Sequence, residues 1–106
     1  GPVVVFGSGG IMVELYKDVA LGRAGLNRAE AEAMIDATRA GKLLDGYRGA
    51  APADRDAVVD AILKMGRFAY ETKGLIEAVD INPLLACPKG QGCVALDALV
   101  VLAPKP

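Results

Sequence analysis

The sequence predicts an α+β domain, a mostly antiparallel sheet with two helices packed on one face. Three observations predict it. Runs rich in Val, Ile and Leu lie at both ends of the chain, at residues 3–6 and 11–19 and again over residues 75–86 and 93–102. Two stretches of helical spacing stand between them, one opened at Asn27 and one at Pro52 and Asp54. The last apolar run is folded back by Pro88-Lys89-Gly90-Gln91, a turn sequence that makes residues 75–102 an antiparallel hairpin. The order is strand, strand, helix, helix, strand, strand, within one domain covering residues 1–106.

In chain order, Val3 to Phe6 reads as a short buried strand bounded by Pro2 and Gly7. Gly7-Ser8-Gly9-Gly10 follows at once. Such a link can lay backbone amides against a phosphate, and it can equally be a tight turn. In the strand at residues 11–19, Glu14 sits on the face away from Ile11, Val13 and Leu15. Asn27-Arg28-Ala29-Glu30 has the pattern of a capping box, so a helix opens there with Ala31, Met34, Ile35 and Thr38 as its buried stripe, and Gly41 is placed to end it. Residues 43–49 read as a loop carrying Arg48 between two glycines. A guanidinium there can grip a phosphate bidentately, although most loop arginines are plain surface charge.

The second helix starts at Pro52 and Asp54. Val58, Val59, Ile62, Met65, Phe68 and Ala69 recur at three- and four-residue steps as far as Tyr70, and Gly74 stops it. Its apolar face is expected to cover the terminal hairpin. Inside that hairpin stand polar groups that need a reason, because burying an unpartnered carboxylate costs several kcal/mol, on the order of 5. Asp80 and Asn82 are two apart and share a face, and a two-residue loop at Lys89-Gly90 puts Asn82 directly opposite Asp97. A slip of one residue would send Asp97 to the other face. Three hard oxygen donors suit Mg2+ better than zinc. The plain alternative is that Asp80, Asn82 and Pro83 end a strand in a turn while Asp97 faces water.

Composition narrows the partners. The 12 basic and 13 acidic residues are scattered, which leaves no electrostatic footprint for nucleic acid or an anionic membrane, and both are excluded as expected partners. No apolar run is long enough to span a bilayer and no signal core opens the chain, so a cytoplasmic location is expected. Cys87 and Cys93 fall on opposite faces of the hairpin and are expected as free thiols. With no histidine, the chain lacks both the commonest general base and any phosphohistidine. It begins at Gly1 instead of Met, and is expected to be part of something longer.

Asp80-Ile81-Asn82-Pro83-Leu84, followed by Ala95-Leu96-Asp97-Ala98, resembles the carboxy-terminal lobe of the ATP-grasp domain in ADP-forming acyl-CoA synthetases, relatives of the succinyl-CoA synthetase beta subunit. The resemblance also takes in residues 1–7, 9–14 and 17–19 and Gly46-Tyr47-Arg48-Gly49. It implies that Asn82 and Asp97 are magnesium ligands with Asp80 beside them, that Gly9 and Gly10 contact the nucleotide, and that Glu14 and Arg48 serve phosphate transfer. The cofactors implied are Mg2+ and ATP/ADP. Such enzymes interconvert a carboxylic acid, CoA and ATP with acyl-CoA, ADP and phosphate, through a phosphohistidine and an acyl phosphate. The sequence shows no upstream ATP-grasp lobe, no CoA-binding unit and no histidine, so the expectation is a metal-bearing lobe that is inactive alone. The alternative is a non-catalytic ATP-grasp-like module of a protein acetyltransferase, serving regulation or assembly.

Overall fold

A computed structural model of the chain describes residues 2–7, 10–15, 27–46, 51–72 and 74–104, with the backbone path given at 2–7, 10–15, 39 and 40. β1 (Pro2–Gly7) and β2 (Gly10–Leu15) pair antiparallel, Gly7 opposite Gly10 and Pro2 opposite Leu15. Two helices, α1 (Arg28–Asp36) and α2 (Arg39–Leu44), lead to the long α3 (Arg55–Glu71). The terminal hairpin supplies β3 (Ile76–Ile81), β4 (Leu84–Ala86), β5 (Cys93–Ala95) and β6 (Ala98–Leu102). The main sheet has the order β1-β2-β3-β6, antiparallel throughout, and β4 and β5 form a separate ribbon.

The capping box opens α1 as the residue pattern requires. Asn27 Oδ1 accepts from the Glu30 amide at 2.8 Å, and Glu30 Oε1 accepts from the Asn27 amide at 3.2 Å. Ala31 and Ile35 are fully buried and Met34 packs beside them. Two expectations fail here. The helix ends at Asp36, and Thr38, expected on its buried stripe, is the N-cap of α2, accepting from the Gly41 amide at 3.1 Å while its hydroxyl donates to the Ile35 carbonyl at 2.8 Å. Gly41 does not stop α1. It sits inside α2 because that helix crosses so close to α1 that a Cβ at position 41 would lie 2.1 Å from the Ile35 carbonyl oxygen. Leu43 and Leu44 consequently belong to α2, with Leu44 in the core, and not to a loop.

α3 is capped by Asp54, whose Oδ1 accepts from the Ala57 amide at 3.1 Å. Val58, Val59, Ile62 and Ala69 are buried and join Ala31, Ile35 and Leu44 in one core, each large aliphatic contributing about 1.5–3 kcal/mol by leaving water. Phe68 and Tyr70 lie off this stripe and are exposed. After Thr72, Gly74 adopts φ +89°, the left-handed turn expected of a helix stop.

The face of α3 meets β1, β2 and β4, whereas α1 meets β1. Coverage of the terminal hairpin is thus partial. Leu84 and Ala86 pack against the core, but β6 is exposed along its whole length, Leu99 to 62% and Leu102 to 71%. Geometry explains it: strands are spaced about 4.8 Å apart and a helix is about 10 Å wide, so a helix centred on β1 and β2 does not reach an edge two strands beyond β2.

Arg55 locks the helices together. Its Nε donates to Glu32 at 3.2 Å, its Nη2 to Asp36 at 2.7 Å and to the Glu32 carbonyl at 3.3 Å, and its Nη1 to both oxygens of Asp45 at 3.3 Å. Burial of the guanidinium disfavours its charge, and the bonds to Asp36 and Glu32 more than offset this, raising its pKa above the ordinary arginine value.

Candidate functional site

Strand register builds the site. β3 pairs with β6 so that Asp80 faces Leu99 and Ile81 faces Ala98; β4 pairs with β5 in the same frame, Leu84 facing Ala95. The frame continues across the interruption between them, where the Asn82 amide donates to the Asp97 carbonyl at 3.1 Å and the Leu96 amide to the Pro83 carbonyl at 3.0 Å. Asn82 and Asp97 therefore stand directly opposite each other, as the two-residue turn requires, and the one-residue slip that would separate them is absent. The turn itself closes through the Gln91 amide to the Pro88 carbonyl at 2.9 Å, with Gly90 at φ +85°. The long strands are interrupted at this level because Pro83 has no N–H to give the ladder.

The site faces away from the core. Val79 is buried and Ile81 packs against the core cluster, so the alternate residues Ala78 and Asp80 lie on the opposite face. Asn82 and Asp97 are exposed and Asp80 is half-buried. Asp97 Oδ1 accepts from the Ala98 amide at 2.8 Å, which orients the carboxylate and leaves Oδ2 for another partner. Among the described residues, no group of three or more His, Cys, Asp or Glu comes together as a cation cage. What the register brings to this level of the hairpin is two aspartates and an asparagine, Asp80, Asn82 and Asp97. That hard-donor set fits a magnesium ion that keeps waters and phosphate oxygens as its remaining ligands.

β2 brings further positions to the same end. Ile11 pairs with Ile81 and Met12 with Asp80, so Gly10 begins its strand at the level of Asn82. Position 14 is opposite Ala78, on the face of Asp80 and about 7 Å along the strand from its level. Gly9 and Arg48 lie outside the described residues, as does much of the strand expected at 11–19 beyond Leu15.

One anchor was not legible in the sequence beyond its role as a helix start. Asp54 caps α3 with Oδ1 and accepts from the Gly92 amide with Oδ2 at 2.7 Å, reaching the hairpin turn 38 residues away. The bonds from Gly92 and Ala57 hold its carboxyl below the usual aspartate range. Around it, the Asp54 amide donates to the Cys87 carbonyl at 2.7 Å, the Lys89 amide to the Pro52 carbonyl at 3.2 Å, and Ala53 bridges Pro88. Both cysteines are free thiols; the Cys93 thiol lies 3.6 Å from the Ala57 carbonyl, and burial first, with the nearby Asp54 charge, raises its pKa. No helix of the described residues is long and apolar enough to cross a membrane.

Comparison with known proteins gives the family of the chain. The sequence pattern of the ATP-grasp domain matches residues 1–102. The chain is 38% identical over 102 residues to the acetate–CoA ligase [ADP-forming] II subunit beta of Pyrococcus furiosus, covering 96% of this chain and 43% of that subunit. It is likewise 38% identical over 102 residues to the 4-hydroxybutyrate–CoA ligase [ADP-forming] of Nitrosopumilus maritimus, of which it covers 14%. Among solved structures, an acetyl-coenzyme A synthetase of Ca. Korarchaeum cryptofilum, in complex with coenzyme A and Mg-AMPPCP, superposes with a TM-score of 0.69 at 34% identity, over 94% of this chain and 50% of that one. A Pyrococcus horikoshii protein gives 0.72 at 29% identity, over 96% and 47%. This chain thus spans less than half the length of the curated relatives it matches. A family match over residues 1–102, with 38% identity to these ligases over 102 residues, means that the chain belongs to the ATP-grasp domain family and is a relative of the ADP-forming CoA ligases.

Proposed function

We propose that this chain is the metal-bearing ATP-grasp lobe of an ADP-forming acyl-CoA synthetase, an acid–thiol ligase that interconverts a carboxylic acid, CoA and ATP with acyl-CoA, ADP and phosphate. Asp80, Asn82 and Asp97 hold the magnesium of magnesium–ATP, the Gly9-Gly10 link lies against phosphate, and Glu14 and Arg48 serve the phosphoryl group in transfer. When bound, the ion neutralises charge on the phosphates during that transfer. The chain's own part is positional. The hairpin fixes Asn82 against Asp97, and the Ala98 amide holds the Asp97 carboxylate in one orientation. The phosphohistidine of the reaction belongs to another part of the protein, since this chain has no histidine. The CoA-binding unit and the other ATP-grasp lobe are its partners there.

The observation that supports this reading is the 3.1 Å bond from the Asn82 amide to the Asp97 carbonyl, which makes these two hard-oxygen residues directly opposed across the hairpin. Phosphoenzyme formation from magnesium–ATP by the complete synthetase tests it. Asp97→Asn keeps an Oδ1 acceptor for the Ala98 amide and removes the charge, so phosphoenzyme formation falls by about 100-fold or more, the cost of losing one charged contact to the transferred group, while melting stays near the parent. Normal phosphorylation removes Asp97 from the mechanism. A collapsed melt reassigns it to structure.

A further inference from the structure

The candidate site lies at a joint between two sheets. On one side β3 and β6 belong to the four-stranded sheet; on the other, β4 and β5 form a ribbon of three residue pairs. A two-stranded ribbon of that length does not hold its own direction in water, so its direction is set by what it is fastened to. Two fastenings are visible. Leu84 and Ala86 pack against the core, and the far end of the ribbon is tied to the first turn of α3. In that tie two side chains contribute hydrogen bonds among the described residues: the Cys93 thiol donates to the Ala57 carbonyl at 3.6 Å, and the Asp54 carboxylate accepts from both elements. One oxygen accepts from Ala57 and the other from Gly92, so a single carboxylate belongs to the helix and the hairpin together. Gly92, at φ +88°, is the residue where the chain leaves the turn for β5.

We infer that Asp54 is a positioning residue for the Asn82–Asp97 pair: by clamping the Gly92 amide to the start of α3 it sets the angle of the β4–β5 ribbon at the joint, and with it the separation of the two facing side chains. The inference rests on the magnesium reading of the site. Asp54 does not touch substrate in this account. It acts through five residues of hairpin on either strand, much as groups behind a metal ligand hold that ligand in place, where substitutions cost roughly 10–100-fold in metal affinity.

The test separates the clamp from the cap. In the complete synthetase, Asp54→Ser keeps one oxygen to cap Ala57 and has none to reach Gly92. The magnesium concentration giving half-maximal phosphoenzyme formation rises about tenfold in Asp54→Ser, with melting close to the parent. An unchanged magnesium requirement overturns the inference, and so does a change confined to melting, which would make Asp54 a helix cap and nothing more. A second measurement needs no variant. Coupling between sites is reciprocal, so magnesium with a non-hydrolysable ATP analogue slows hydrogen exchange at the Gly92 amide of the parent enzyme; exchange there indifferent to the complex overturns the clamp. Failure of the underlying reading looks different: Asp97→Asn phosphorylating normally removes the metal pair itself, whereas a crippled Asp97→Asn beside a parental Asp54→Ser removes the clamp alone.

Discussion

Arg55 answers three carboxylates with one guanidinium, and its value to the fold follows from that geometry. Its side chain is 20% exposed, while Glu32, Asp36 and Asp45 are each more than a third exposed, so the ion pairs are screened and their sum is modest. Arg55→Met is expected to cost about 1–2 kcal/mol, and Arg55→Lys to recover less than half of it, because an ammonium cannot span α1 and the turn after α2 as a planar fork does. Urea unfolding of the three proteins checks the order. The sequence marks Arg55 as an ordinary first-turn residue, since its partners lie 10, 19 and 23 positions away and no local pattern connects them. Asp54 is hidden in the same way. Its capping role is local and legible, whereas its bond to Gly92 depends on where the hairpin docks.

At the scale of elements, what the sequence conveyed depended on whether the deciding interaction was local. Asn27 and Glu30 settle the start of α1 between themselves, and Lys89-Gly90 settles the hairpin frame that brings Asn82 to Asp97. Gly41 misleads because a glycine near the end of a periodic stretch has two physical meanings, a left-handed stop or a close approach, and only the packing of α2 on α1 distinguishes them. The second meaning has a consequence. Gly41→Ala forces its methyl into the Ile35 carbonyl, so α1 and α2 must separate, at a cost of about 1–3 kcal/mol typical of overpacking, where a stop glycine with room around it would show far less. Thermal melting of the alanine variant decides it. The exposure of β6 was likewise beyond reach of the pattern, since a strand of five apolar residues, residues 98–102, reads as buried until the sheet order shows it at the edge, beyond the cover of α3.

For the molecule as a whole, the function proposed above is that of a lobe positioning phosphate and metal for chemistry completed elsewhere. Purified alone, the 106-residue chain is expected to show no acid- and CoA-dependent turnover of ATP, because a phosphate relay through histidine has no histidine here to use. Turnover by the isolated chain would show that the relay is not required. The central claim is narrower, that one cation sits between Asn82 and Asp97 on the open face of the sheet. A crystal structure of the complete synthetase with magnesium and an ATP analogue measures it most directly: the account predicts an octahedral ion at about 2.1 Å from Asn82 Oδ1 and an Asp97 carboxylate oxygen, bridging to phosphate, and an ion bound to the phosphates with neither residue in its coordination sphere would contradict it.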